Sequence, residues 1–220
     1  MKGLSKHTEK IFDAISNLDC IKEYVLVGGT ALALQIGHRL SEDLDFMKWK
    51  SHSDISPEVN WPAIETALKT IGEVNTDVLE LHHVNFIVEG VRISFYANRL
   101  YEKPKDLKVS EFKNNIAVAD KYSLGMMKVE LTARRAKFRD FYDIYALTRE
   151  GFSLTRLVSG AQSYSGGRIK QKSLEAFLCN KDRYGTDSNF RLLEPKYEIS
   201  ADNMEKYFVK LLKKENKTDS

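Results

Sequence analysis

The sequence predicts an α+β protein: a small mixed β-sheet with helices packed against it, followed by a helical bundle. Three observations predict this. Short β-patterned runs are confined to the first hundred residues, at 24–27, 43–46, 73–81, 83–89 and 91–98. Apolar residues at helical spacing dominate from about residue 119 onward. A Gly28-Gly29-Thr30 turn joins the first apolar strand to a helix-like run. The chain changes character around 101–106, which carries Pro104, so the expected domains are 1–105, the sheet core, and 106–220, the helical bundle.

Taken in order, Ile11, Ala14, Ile15 and Leu18 give helical spacing over 5–18. Tyr24-Val25-Leu26-Val27 reads as a buried strand, and a helix follows the Gly-Gly turn. Residues 48–60 are polar, carry Pro57 and read as a loop, after which Asn60 is placed to cap a helix that opens on Trp61-Pro62 and runs to Ile71. Three strands follow, the last two joined by a turn at Glu89-Gly90. Helices are expected at 119–136, 138–149, 153–163, 170–178 and 200–214, with a loop over 180–195 and a polar, disordered end of about six residues.

Asp43 and Asp45 stand in D-x-D spacing. On a strand, alternate side chains share a face, so these carboxylates lie side by side while Leu44 and Phe46 turn to the core. Two carboxylates on one face repel unless a cation lies between them. Mg²⁺ (or Mn²⁺) suits such a pair, because it completes its octahedron with waters and phosphate oxygens. The Gly28-Gly29 turn lets a phosphate chain approach the backbone, and the following helix N-terminus favours anions. The combination points to a site for a metal-bound nucleoside triphosphate.

The string GGTALALQIGHRLSEDLDF resembles the nucleotidyltransferase superfamily, whose core is similar to that of DNA polymerase beta, and more narrowly the toxin nucleotidyltransferases of bacterial abortive-infection systems, the AbiE toxin type. A second string, KVELTARRAKFRDFYDIYAL, is similar to the family's helical motif, with Lys128, Arg135, Arg139-Asp140 and Asp143 at the matching positions. The resemblance implies transfer of a nucleoside monophosphate from a nucleoside triphosphate to an acceptor, RNA and specifically the 3′ end of a tRNA, by a toxin that a cognate antitoxin counters. It implies Asp43 and Asp45 as metal ligands and catalytic residues, with Lys128 and Asp140 also catalytic. Gly28, Gly29, Thr30, Arg39, Ser41, Lys128 and Arg135 are implied to bind the nucleotide.

Two-metal nucleotidyl transfer normally takes a third carboxylate from a neighbouring strand. The matching inward position on 91–96 is Ser94, which is not acidic; Glu89 and Asp77 are the nearest substitutes. Activation of the attacking hydroxyl then falls to Lys128 or Asp140, or turnover is lost. Two rival readings follow: a catalytically weak nucleotide-binding module, and an RNA- or protein-binding helical protein on a degenerate scaffold. The latter draws on the basic run Lys121, Lys128, Arg134, Arg135, Lys137 and Arg139. For Lys128, Arg135, Asp140 and Asp143 the competing structural reading is a charge-paired helical hairpin.

The bulk properties set outer limits. A net charge of +3 excludes a polycation, and ten Tyr and eleven Phe supply the apolar mass of a globular core. Cys20 and Cys179 show no metal-ligand spacing, and the histidines do not cluster with them, so no zinc site is expected. No apolar run is long enough to span a bilayer, and Met1-Lys2-Gly3 opens no signal-peptide pattern, so the expected location is cytoplasmic.

Overall fold

The computed structural model describes residues 1–50 and 57–218. It divides into two compact units, 1–120 and 121–220. The first is built on a seven-stranded sheet. Its strands are β1 (Val25–Val27), β2 (Leu44–Lys50), β3 (Val74–Glu80), β4 (His83–Val88), β5 (Val91–Glu102), β6 (Val109–Lys113) and β7 (Ile116–Ala119), in the spatial order β3-β4-β5-β2-β1-β7-β6. The sheet is mixed: β2 runs parallel to β5 and β1 parallel to β7, while β1 and β2 are antiparallel. Helices α1 (Lys6–Ser16), α2 (Gly28–Ile36) and α3 (Trp61–Leu68) complete this unit.

The alternation of β2 decides which face is core. Leu44 and Phe46 are buried and sit opposite Ile93 and Phe95 of β5, which in turn face Phe86 and Val84 of β4. Phe46 stacks on Phe95 at 5.2 Å between centroids, and Tyr24 meets the same ring edge-on. The other face carries Asp45, Ser94 and Asn85 in one row across three strands. A slip of one residue in β2 would exchange the two faces, so burial of Leu44 and Phe46 fixes the orientation of Asp45.

The sheet extends past the expected boundary at 105/106. Residues 109–119 form the β6–β7 hairpin, and Ala117 and Val118 of β7 pair with Val25 and Leu26 of β1. Val109-Ser110-Glu111-Phe112-Lys113 is an exposed edge with little apolar alternation, so its own sequence carries little strand signal. Other boundaries move as well. α3 stops at Leu68 rather than Ile71, and Asn60 is its N-cap position but makes no side-chain capping bond. β2 continues to Lys50, and β5 runs to Glu102, beyond the expected break. The part of the expected loop at 51–56 lies outside the described residues.

The second unit is helical: α4 (Lys121–Leu131), α5 (Phe138–Arg149), α6 (Leu154–Tyr164), α7 (Gln171–Leu178) and α8 (Ala201–Thr218). α4 ends five residues short of the expected 136, because successive 3₁₀-type bonds from Thr132, Ala133 and Arg134 to Val129, Glu130 and Leu131 tighten and close its last turn. Phe141, Tyr142 and Tyr145 of α5 are core aromatics, as their spacing suggests. Of the polar end expected to be disordered, the described residues 215–218 belong to α8. Its Glu215 accepts from the backbone N–H groups of Leu154 and Thr155 and from the hydroxyls of Ser153 and Thr155, at 2.8–3.1 Å. A carboxylate thus satisfies the first turn of α6 from another helix.

Glu215→Ala is expected to lower the stability of the helical unit by about 1–3 kcal/mol, because α6 loses a charged acceptor shared by several donors. Urea denaturation followed by circular dichroism checks this.

Candidate functional site

Val27 occupies the N-cap position of α2 and offers its first turn no side-chain acceptor. The next residue, Gly28, has φ +72°, a conformation that favours glycine. A Cβ at Gly28 would lie 2.5 Å from Asp45 Oδ2, and a Cβ at Gly29 would collide with the Arg39 guanidinium and come within 3.4 Å of Ser41 Oγ. The two glycines are therefore the surface against which a carboxylate, a guanidinium and a hydroxyl are packed. Asp45 comes from β2, where it pairs with Val27 of β1, immediately before Gly28. Arg39 and Ser41 come from the loop after α2 and are buried, at 4% and 6% exposure.

Thr30 ties the first turn of the helix to that loop. Its hydroxyl lies 2.8 Å from Ser41 Oγ and donates to the Asp43 carbonyl, which places Asp43 just before β2. The loop is also held from behind. Ser41 N–H donates to Gly3 O, Ser5 N–H donates to Ser41 O, and Thr8 Oγ1 donates to Glu42 O at 2.7 Å. Gly3 (φ +91°) passes so close to Ala33 O that a Cβ there would sit 2.5 Å away. Sequence reasoning missed Gly3, Ser5 and Thr8 as supports. A Gly ahead of a Ser-x-x-Thr helix start was the available signal, but nothing local links it to residue 41. His38, in the same loop, is buried at 1% exposure.

Ser94 of β5 pairs directly with Asp45 across the parallel ladder, at the position where a third carboxylate was expected. Neither substitute reaches it. Glu89 lies in the β4–β5 turn with φ +49°, and its carboxylate packs on Gly72. Asp77 belongs to the edge strand β3 and faces Arg92 at 3.9 Å. β3 is three strands from β2, about 14 Å at ordinary inter-strand spacing. Among the described residues no group of three or more His, Cys, Asp or Glu is arranged to hold a metal ion. The donor set available to a cation here is Asp43 and Asp45. Two carboxylates, with phosphate oxygens and waters completing the shell, would suit Mg²⁺ or Mn²⁺.

In the helical unit, Lys128 of α4 lies between two fully buried carboxylates of α5, 2.8 Å from Asp140 and 2.7 Å from Asp143. Arg135 makes a bidentate pair with Asp140 at 2.8 and 3.0 Å. It does so from the segment beyond α4, so Lys128 and Arg135 do not lie on one helix although they are seven residues apart. Arg139 turns elsewhere, to a bidentate pair with Asp187. Burial alone would raise the Asp140 carboxyl, but the charges and hydrogen bonds of Lys128 and Arg135 hold it below its ordinary value.

The family model described as "Nucleotidyl transferase AbiEii toxin, Type IV TA system" matches residues 10–215. The chain belongs to the AbiEii nucleotidyltransferase toxin family. As an AbiEii protein it is a nucleotidyltransferase, and its family is the toxin component of a toxin–antitoxin system. It is 28% identical over 165 residues to an uncharacterized protein of Aquifex aeolicus (strain VF5), spanning 71% of this chain and 73% of that one. Its fold is similar to that of a candidate nucleotidyltransferase from H. pylori, with a TM-score of 0.55, 18% identity and 96% of each chain covered. It is also similar to the nucleotidyltransferase toxin MenT4 from Mycobacterium tuberculosis H37Rv, with a TM-score of 0.56, 14% identity, and 94% and 87% of the two chains covered. Among the described residues no helix is long and apolar enough to cross a membrane.

The charge cluster of α4 and α5 predicts a specific stability pattern. Lys128→Met leaves two buried carboxylates without their shared cation and is expected to cost about 3–5 kcal/mol. Adding Asp140→Asn and Asp143→Asn to it should recover part of that loss. Because the folded Asp140 pKa is depressed, its contribution is fully present above the unfolded carboxyl pKa (about 3.9) and is lost as pH falls through the lower folded value. Denaturation of the parent and Asp140→Asn between pH 7 and 2 should show the parent losing this contribution in the acid limb and the variant lacking it.

Proposed function

We propose that this AbiEii protein transfers a nucleoside monophosphate from a metal-bound nucleoside triphosphate to RNA, with the 3′ end of tRNA as acceptor. The observation that carries the reading is the packing of Asp45 against Gly28, with buried Arg39 and Ser41 against Gly29. This brings the Asp45 carboxylate, a guanidinium and a helix N-terminus to one stretch of backbone, a combination suited to a triphosphate and its cation.

Asp43 and Asp45 would hold the cation, Mg²⁺ or Mn²⁺, which would neutralise charge on the phosphates. Arg39 and the first turn of α2 would bind the non-transferred phosphates, and Thr30 and Ser41 would hold that turn in place. In the reaction an acceptor hydroxyl oxygen bonds to the α-phosphorus, the bond from that phosphorus to the bridging oxygen breaks, pyrophosphate leaves, and the hydroxyl proton passes to water. For Lys128, Arg135 and Asp140 the proposal keeps the roles that the helical motif implies. Since Lys128 is also an ion-pair partner of two buried carboxylates, its variants have to be judged by activity per folded molecule.

Incubating the protein with labelled nucleoside triphosphates, Mg²⁺ and total tRNA tests the reading, which expects labelled RNA. Saturable nucleotide binding without product would contradict transfer. Asp43→Asn combined with Asp45→Asn should remove Mg²⁺-dependent nucleotide binding while preserving the melting temperature, because two repelling charges are lost from one face. Undiminished binding by that variant would rule out the assigned metal ligands. Ser94→Asp, directly beside Asp45, should raise divalent-cation affinity, read by Mn²⁺ titration; an unchanged affinity would show that residue 94 does not face the cation.

A further inference from the structure

The polar row that begins at Asp45 continues beyond Ser94, away from the phosphate side. Across β5 and β4, Ser94 pairs with Asn85, and one step along the strands Tyr96 pairs with both Met47 and His83. Asn85 is buried, at 7% exposure, and its Oδ1 lies 2.7 Å from His83 Nε2. The imidazole of His83 stacks on the Tyr96 ring at 4.3 Å between centroids and 17° between planes, and both residues are partly exposed. This amide, its plane fixed by a neighbouring imidazole and next to a stacked aromatic pair, lies on the face of the strands opposite Phe86, Ile93 and Phe95. It does not serve the phosphate cradle, which lies on the β1–α2 side of β2.

The requirement for in-line displacement gives this patch a role. The attacking oxygen and the leaving pyrophosphate must lie on opposite sides of the α-phosphorus. If Gly28, Gly29 and Arg39 hold the leaving phosphates on the β1 side of Asp45, the attacking hydroxyl enters from the β5 side, over Ser94. We propose that Asn85, His83 and Tyr96 form the subsite for the terminal nucleotide of the acceptor, an assignment that rests on the nucleotidyl-transfer reading above. The His83–Tyr96 stack offers a π-face to an unpaired base, and the Asn85 amide nitrogen, its oxygen being held by His83, offers a donor to its edge or ribose. Such a site takes a single-stranded 3′ end, whose base can leave its helix and stack on protein, rather than a base held in a duplex. Ser94, between this patch and Asp45, adds no like charge beside that carboxylate. The three residues are positioning and specificity residues, distinct from those assigned to the metal and the triphosphate.

The experiment measures two constants on each purified full-length variant: Kd for Mg²⁺–nucleoside triphosphate in the absence of RNA, and KM for total tRNA in the labelling reaction. His83→Ala and Asn85→Ala are expected to raise KM for tRNA by roughly tenfold or more, the scale of one lost base–aromatic contact, with the nucleotide Kd unchanged. His83→Phe, which keeps a ring for stacking, should restore much of the loss. A parental KM in His83→Ala at unaltered melting temperature would overturn the assignment, as would a nucleotide Kd that rises in step with KM. A parent protein that labels no RNA would overturn the proposed function, and this subsite with it. A parent that labels RNA, with variants that do so at unchanged KM, would overturn the subsite alone.

Discussion

The register of β2 between β1 and β5 is the constraint on which the rest of the first unit depends. Leu44 and Phe46 must be buried against Ile93, Phe95 and Phe86, and that burial turns Asp45 to the opposite face. The same pairing sets Asp45 beside Val27 and so against Gly28, whose missing side chain is the space the carboxylate occupies. A charged residue is thus oriented by the apolar burial of its two neighbours, which together contribute on the order of 3–6 kcal/mol. The loop that brings Arg39 and Ser41 to Gly29 is then fixed by hydrogen bonds from Thr30 and from the segment around Gly3 to Thr8.

The helical unit is organised by electrostatics. Asp140 and Asp143 are fully buried in α5 and share one ammonium, and Asp140 also receives a guanidinium. Such a cluster gains little net stability over an apolar replacement, yet breaking it from one side is costly, because it leaves an unpaired buried charge. The cluster fixes the approach of α4 to α5 and holds the Lys128 ammonium in one place. A structural ion-pair network and an ordered functional lysine are therefore compatible descriptions of the same atoms.

Much of this was legible in the sequence. Gly-Gly-Thr after an apolar run, and Asp45 between the apolar Leu44 and Phe46, are local patterns whose physics is local: a positive φ and a strand period of two. The place of Ser94 beside Asp45 also followed from alternation along 91–96. What could not be read was set by distant partners. β6–β7 is an edge hairpin whose pairing with β1 is the main reason for its extended form. The end of α4 is fixed by how its last turn closes, and the tail of α8 is ordered by Glu215 reaching the first turn of α6. The supporting role of Gly3, Ser5 and Thr8 is a long-range contact that no window of neighbouring residues reports.

The central claim is that the backbone at Gly28 and the Asp45 carboxylate form one surface for a metal-bound triphosphate. Gly28→Ala addresses it most directly, since the added methyl would occupy the place where Asp45 Oδ2 now lies, at a residue with φ +72°. Calorimetric titration of the folded parent and variant with Mg²⁺–nucleoside triphosphate should show affinity falling by roughly a hundredfold or more, the scale of about 3 kcal/mol of lost contact and added strain. An alanine variant that binds the nucleotide as tightly as the parent would contradict the account.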